Sequence, residues 1–145
     1  MSIRTESRPI EATMIDPSLG LPTITMAVPM PGFPGHREFV LVRLNEDGLL
    51  YALTSTDDPE LRFLVAPPEP FFPDYAPEVE KDVFAALNTK DPDRLLLMVV
   101  ITAGTNETTA NLLAPIVVDR DTMRAVQVVL SGSGLPVRAI MNRPY

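Results

Sequence analysis

The chain predicts a mainly β fold: a small antiparallel β-barrel-like domain of about eight short strands, with one α-helix at about 77–88. Three observations lead there. Most apolar residues fall in short runs that alternate at period two or are apolar on both faces. Only one stretch repeats at the helical period. Sixteen prolines in 145 residues, about twice the usual frequency of 5%, cut the chain into pieces separated by turns. Closing such a sheet on itself would hide the edges that so many apolar strands otherwise expose.

The elements follow in order. Residues 1–22 are polar, contain Pro9, Pro17 and Pro22 and show no period, so they read as a flexible N-terminal extension. A single domain is expected over 23–140, with 141–145 as a C-terminal tail. The first strand spans 23–30, with Ile24, Met26 and Val28 on one face. Pro29, Pro31 and Pro34 together with Gly32 and Gly35 make 29–35 an irregular turn. Strands at 38–44 and 49–53 flank Asn45-Glu-Asp-Gly48, where Asp47-Gly48 is a favoured hairpin pair. A polar turn over 54–60 leads to a strand at 61–66.

Pro67, Pro68, Pro70 and Pro73 end that strand, because each fixes φ and lacks an N–H. The expectation is a stiff extended loop carrying Phe71, Phe72 and Tyr75. Adjacent side chains in an extended segment point in opposite directions, so one Phe would plug the core while the other faces outward. In the helix at 77–88, Pro77 suits the first position, and Glu78 and Glu80 suit the positive end of the dipole. Val79, Val83, Phe84 and Leu87 form its apolar stripe, Lys81 and Asp82 face solvent, and Asn88 ends it. Four more strands are expected at 94–102, 109–118, 123–130 and 135–140. The run from Leu95 to Ile101 is apolar on both faces, as in a strand covered on both sides. Pro115 cannot donate to a ladder, so it marks an edge or a bulge. Leu112, Leu113, Ile116, Val126 and Val128 are assigned to the core.

Composition narrows the function. An apolar share of 46% supports a packed core, and the absence of cysteine excludes disulfides, thiolate metal sites and cysteine nucleophiles. The net charge is −7, the only lysines are Lys81 and Lys90, and the arginines are scattered. Nucleic-acid affinity rests largely on clustered cations, so direct binding of nucleic acid is disfavoured, while an acidic surface steers toward basic partners. The N-terminal residues lack an apolar signal-like core, and no apolar run reaches the roughly 18 residues of a membrane helix. A cytoplasmic protein without membrane contact is expected.

Motifs for chemistry are sparse. His36 is the single histidine, with no serine or cysteine motif beside it in sequence. There is no nucleophile elbow, Walker loop or dinucleotide fingerprint, and Ser131-Gly-Ser-Gly134 is too short to cradle phosphate. Asp57 and Asp58 could act as metal ligands or as an acid/base pair, but aspartate before proline in a turn usually caps its own backbone. The residues therefore favour a non-enzyme without metal or cofactor. Three other readings remain open. A small carboxylate-dependent hydrolase or isomerase would place Asp57, Asp58 and Asp74 around a deep pocket. An oligonucleotide-binding barrel would need a basic groove with exposed aromatics; an unrelated protein-binding β-barrel module would need neither.

Several motifs carry a resemblance. Asp57-Asp-Pro59, Phe63-Leu-Val65, Phe71-Phe-Pro-Asp-Tyr75 and Thr109-Ala-Asn-Leu-Leu-Ala-Pro-Ile-Val-Val118 resemble the flagellar assembly factor FliW family. Pro31-Gly-Phe-Pro-Gly-His-Arg-Glu-Phe39 resembles its early turn, and Gln127-Val-Val-Leu130 its late strand. The resemblance runs in order over about 23–140. It implies a β-barrel-like protein without enzymatic activity that binds flagellin and, alternatively, the translational repressor CsrA, relieving repression of flagellin translation. It also implies partner-binding roles for Asp57, Asp58, Phe71, Phe72, Asp74, Tyr75 and Asn111, in a monomer. The sequence departs from the pattern in the N-terminal extension, in the proline-rich Pro67-Pro-Glu-Pro70, and in 135–140, which matches only at Arg138.

Overall fold

The computed structural model describes residues 22–141. The expected flexible extension falls almost wholly outside them, as does the C-terminal tail beyond Met141. Nine strands are present among the described residues: β1 Thr23–Met26, β2 Glu38–Arg43, β3 Tyr51–Ser55, β4 Arg62–Ala66, β5 Leu95–Ala103, β6 Thr108–Ala110, β7 Ile116–Asp119, β8 Arg124–Gln127 and β9 Ala139–Ile140. One α-helix, α1 at Lys81–Leu87, stands between β4 and β5, followed by a 3-10 turn at Pro92–Arg94. The predicted fold class holds: mainly β, with one α-helix among the described residues.

The strands close into a ring. Their order is β4-β3-β2-β1-β8-β7-β5, and β4 also pairs with β5. All pairings are antiparallel except β1 with β8. Beyond the part of β5 that β7 covers, β6 pairs with the remainder, and β9 adds to β6 as the outermost strand. The predicted β2–β3 hairpin is present, with Arg43 opposite Tyr51. Gly48 takes φ 70° there, and the Asn45 side chain accepts from the amides of Leu49 and Leu50.

Two cores lie on opposite faces of β5. Inside the ring, Ile24, Met26, Phe39, Leu41, Tyr51, Leu53, Val65, Met98, Ile116 and Val118 are all buried. On the outer face, Leu95, Leu97, Val99 and Ile101 meet Val83 and Leu87 of α1, with Tyr75, Val79, Leu112 and Val117. β5 is thus covered on both sides, as its doubly apolar run requires. Burying a residue of this size contributes roughly 1.5–3 kcal/mol.

Four expectations are corrected. First, the predicted strand 109–118 is two strands. Ile101 faces Ala110 and Met98 faces Ile116, so three steps along β5 answer to six along its partner. The three extra residues loop out around 111–115. An odd insertion also switches the face: Ala110 and Leu112 lie in the outer core, whereas Ile116 and Val118 lie inside the ring. Second, α1 begins at Lys81 rather than at Pro77. Tyr75, Pro77 and Val79 are buried while Ala76, Glu78 and Glu80 are exposed, the alternation of an extended segment. Glu80 is the N-cap, with φ −76° and ψ 163°.

Third, 67–73 is a tight turn rather than an extended loop. The amides of Phe71 and Phe72 both donate to the Pro68 carbonyl, at 3.0 and 2.8 Å. Consecutive side chains in a helical turn diverge by roughly 100° rather than 180°, so Phe71 and Phe72 both pack on the outer core. Fourth, β1 stops at Met26, and Val28 is 49% exposed instead of inward. Of the residues assigned to the core, Leu112, Ile116 and Val126 are buried, while Leu113 and Val128 are partly exposed.

Candidate functional site

The aromatic turn after β4 is held from below. Tyr75 is 8% exposed, and its hydroxyl donates to the Leu112 carbonyl at 2.7 Å. Burial raises its phenol above the usual range, because the phenolate would lose its hydration. Asn111 acts on the same excursion. Its Oδ1 accepts from the amides of Leu113 and Ala114, both at 3.1 Å. Two residues singled out in sequence are thus brought together, as struts that fix the 111–115 loop against the aromatic turn. Phe71 and Phe72 are half-buried and Asp74 is exposed beside them.

Phe71 leads into a groove of about 690 Å³. Its walls are the β2–β3 hairpin (Asn45, Asp47, Leu49, Leu50) and the β5–β6 hairpin (104–108), and Phe71, Ile101, Ile140 and Met141 line it as well. Ile140 is 56% exposed there. Asp47 and Glu107 are the charged residues of this lining, and no basic residue contributes to it.

Asp57 and Asp58 lie elsewhere. They occupy the β3–β4 turn, and β4, Arg62–Ala66, runs from that turn to the aromatic one. Asp58 caps its own turn: its Oδ1 accepts from the Glu60 amide at 3.0 Å. Its amide and that of Asp57 both donate to the Ser55 hydroxyl. None of Asp57, Asp58 and Asp74 lines the Phe71 groove, so the structure does not gather them into a catalytic cleft. Among the described residues no cluster of His, Asp and Glu has the makings of a metal site.

The fold also makes contacts that spacing along the chain does not announce. His36 Nδ1 lies 2.8 Å from Ser55 Oγ, a pair separated by a hairpin in sequence. Ser55 is 3% exposed, and its oxygen already accepts two amide hydrogens, which makes it a poor nucleophile and a good turn anchor. Asp119 is fully buried and takes a two-pronged ion pair from Arg94, with Nε 3.2 Å from Oδ1 and Nη2 3.0 Å from Oδ2. Arg94 Nε also reaches Asp121 at 3.1 Å. The clamp ties the start of β5 to the end of β7, and Asp119 Oδ1 further accepts from the Asp121 amide. The doubly apolar run after Arg94 was a signal that the charge at its edge would need a buried partner.

A second groove, of about 990 Å³, runs beside α1 and is lined by Lys81, Phe84, Ala85, Asn88, Thr89, Lys90, Asp91, Pro92 and Arg94.

Comparison with known proteins decides the relationship. The family model described as "FliW protein" matches residues 7–141. The chain belongs to the FliW family. The match starts before residue 23, where the motifs legible in sequence begin. The flagellar assembly factor FliW of Bacillus licheniformis is 37% identical over 113 residues, covering 77% of this chain and 79% of that protein. That of Bacillus subtilis is 36% identical over 106 residues, covering 72% and 74%. FliW 2 of Desulfotalea psychrophila is 36% identical over 104 residues, covering 71% and 69%. The fold agrees as well: a crystal structure of the flagellar assembly factor FliW superposes with a TM-score of 0.74 over 85% of each chain, at 26% identity. FliW membership fits the absence, among the described residues, of any helix long and apolar enough to cross a membrane.

Proposed function

We propose that this chain is a non-enzymatic, cytoplasmic flagellar assembly factor that binds flagellin and, alternatively, CsrA. In this reading, free protein takes up CsrA and so relieves repression of flagellin translation. The observation that carries it is the groove at Phe71, with an apolar floor and an acidic rim of Asp47 and Glu107. That chemistry is complementary to a repressor that binds RNA and must therefore be basic. Phe71, Phe72 and Asp74 extend the same face, with half-buried aromatics as anchors. Tyr75 and Asn111 serve it from beneath by fixing the 111–115 loop. Asp57 and Asp58 form a separate acidic patch at the far end of β4 and are proposed as an outlying contact. An acidic rim with no cation in its lining also disfavours direct binding of nucleic acid.

Calorimetric titration with CsrA and, separately, with flagellin from the same organism tests the reading. Binding of CsrA is expected to weaken by about 2 kcal/mol or more when Asp47→Lys and Glu107→Lys are combined, since like charges then face each other. Asp57→Lys with Asp58→Lys is expected to have the smaller effect. Absence of heat with both partners at micromolar concentrations would sink the proposal.

A further inference from the structure

The two lysines of the chain border the same groove. Lys81 opens α1 and Lys90 follows its cap, and both line the larger cavity beside the helix. Both are exposed, and no ion pair engages either among the described residues. Arg94 lies on the same wall, but its charge is committed to Asp119 and Asp121. Asp91 is the only acid of this lining, and its carboxylate accepts from the Asp93 amide. Phe84, Ala85 and Pro92 supply an apolar surface between the cations. In a chain with 19 acidic and 12 basic residues, a lining with three cations, Lys81, Lys90 and Arg94, against the single acid Asp91 has a local excess of positive charge.

We propose that this groove docks an acidic segment of a protein partner, with an apolar side chain seated against Phe84 and Pro92 and carboxylates reaching Lys81 and Lys90. The apolar contact supplies most of the affinity, less the cost of ordering the bound segment. The lysines supply steering and choice of partner. Nucleic acid is a poorer fit, because two free lysines neutralise too few phosphates to hold a strand in an otherwise acidic field. The groove shares no lining residue with the acidic one at Phe71. Partners of opposite charge therefore have separate seats on one small domain. The inference stands apart from the CsrA and flagellin reading, since it rests on the lysines and not on the acidic rim.

The test uses the full chain and a fluorescein-labelled synthetic peptide in which glutamates flank a central Leu-Phe pair. Its controls are the same peptide with lysines for the glutamates, the same peptide with serines for the Leu-Phe pair, and oligouridine. Anisotropy should show binding of the first peptide and at least about tenfold weaker binding of each control. Lys81→Glu combined with Lys90→Glu should reduce binding by a similar factor. Ala85→Arg is the decisive arm. It adds positive charge but fills the floor at an exposed helical position that tolerates arginine, so docking weakens, whereas attraction by charge alone would strengthen. Stronger binding by Ala85→Arg, equal binding by the lysine variant, preference for oligouridine, or no binding of the first peptide at about 1 mM would each overturn the proposal. Circular dichroism confirms that every variant is folded.

Discussion

The ring interior and the outer core share strand β5 and are closed by different means. Inside, the walls are strands joined by Met30 of the 29–35 turn, and the large side chains Phe39, Leu41, Tyr51, Leu53 and Met98 are fully buried. Outside, the cover consists of α1, the extended 75–79 segment, the aromatic turn and the 111–115 loop. Several of its members, including Phe71, Phe72 and Phe84, are only partly buried. Both grooves open on this second side: Phe71 lines one and Phe84 the other. The interior specifies the scaffold, and the loosely finished outer layer presents surface. Incomplete burial there leaves apolar area exposed for partners, at a cost in local stability.

Matched truncations test that division most severely. Phe39→Ala removes a fully buried ring that also lies 6.0 Å from the ring of Phe63, and should cost about 3–5 kcal/mol in urea unfolding. Phe71→Ala removes a half-buried ring at a groove wall and should cost about 1 kcal/mol, with its main effect on binding. Equal losses would mean that the outer layer is as integral to the scaffold as the interior, and the division would fail.

The interior was also the part most legible in sequence. Period-two alternation places Ile24 and Met26 on one side without knowledge of the fold, whereas the 38–44 run is apolar on both faces and only the pairing shows Phe39 and Leu41 to be the inward pair. The outer layer was legible as residue types but not as geometry. Val79 belongs to the apolar stripe at helical spacing, and it is buried as predicted, yet it reaches the core from an extended segment. An odd insertion at 111–115 is invisible to periodicity, since Ala110, Leu112, Ala114, Ile116 and Val118 alternate without a break. Only pairing with β5 shows that the face has switched. Of the candidate site, the aromatic motif and Asn111 lie in the turn and the loop that finish the outer layer. Their physical roles needed the fold, because Tyr75 and Leu112 meet across 37 residues. The lysine groove was out of reach for the same reason.

A second, smaller effect sharpens the comparison through pH. Tyr75 sits in the outer layer with its hydroxyl spent on the Leu112 carbonyl, and burial raises its pKa from the ordinary value of 10.0. Below pH 10 both folded and unfolded chains hold the proton, so its contribution to stability is constant. As pH rises above 10, the unfolded chain releases the proton first and stability falls, until the folded phenol also ionises. Tyr75→Phe should cost about 1–2 kcal/mol at neutral pH, since Leu112 loses its donor in a buried place. It should also flatten the alkaline slope of urea midpoints between pH 10 and 11. An unchanged slope would assign the alkaline loss to another group.

The smallest effect concerns the end of α1. Seven residues make a helix too short to stand alone, so its stop signal and its packing on β5 must act together. Asn88 holds the left-handed conformation, φ 54° and ψ 45°, with its amide donating to the Ala85 carbonyl and that of Thr89 to the Phe84 carbonyl. Alanine in that conformation pushes its Cβ toward the next carbonyl, so Asn88→Ala should cost about 1 kcal/mol. Asn88→Gly relaxes the conformation but loosens the unfolded chain, and should shift stability by only a few tenths of a kcal/mol. Hydrogen exchange reads the difference: faster exchange confined to 81–90 in the alanine variant, with the ring strands unchanged, is what a separately finished outer layer requires. Faster exchange spread evenly over β2 and β3 would show instead that helix and ring open as one unit.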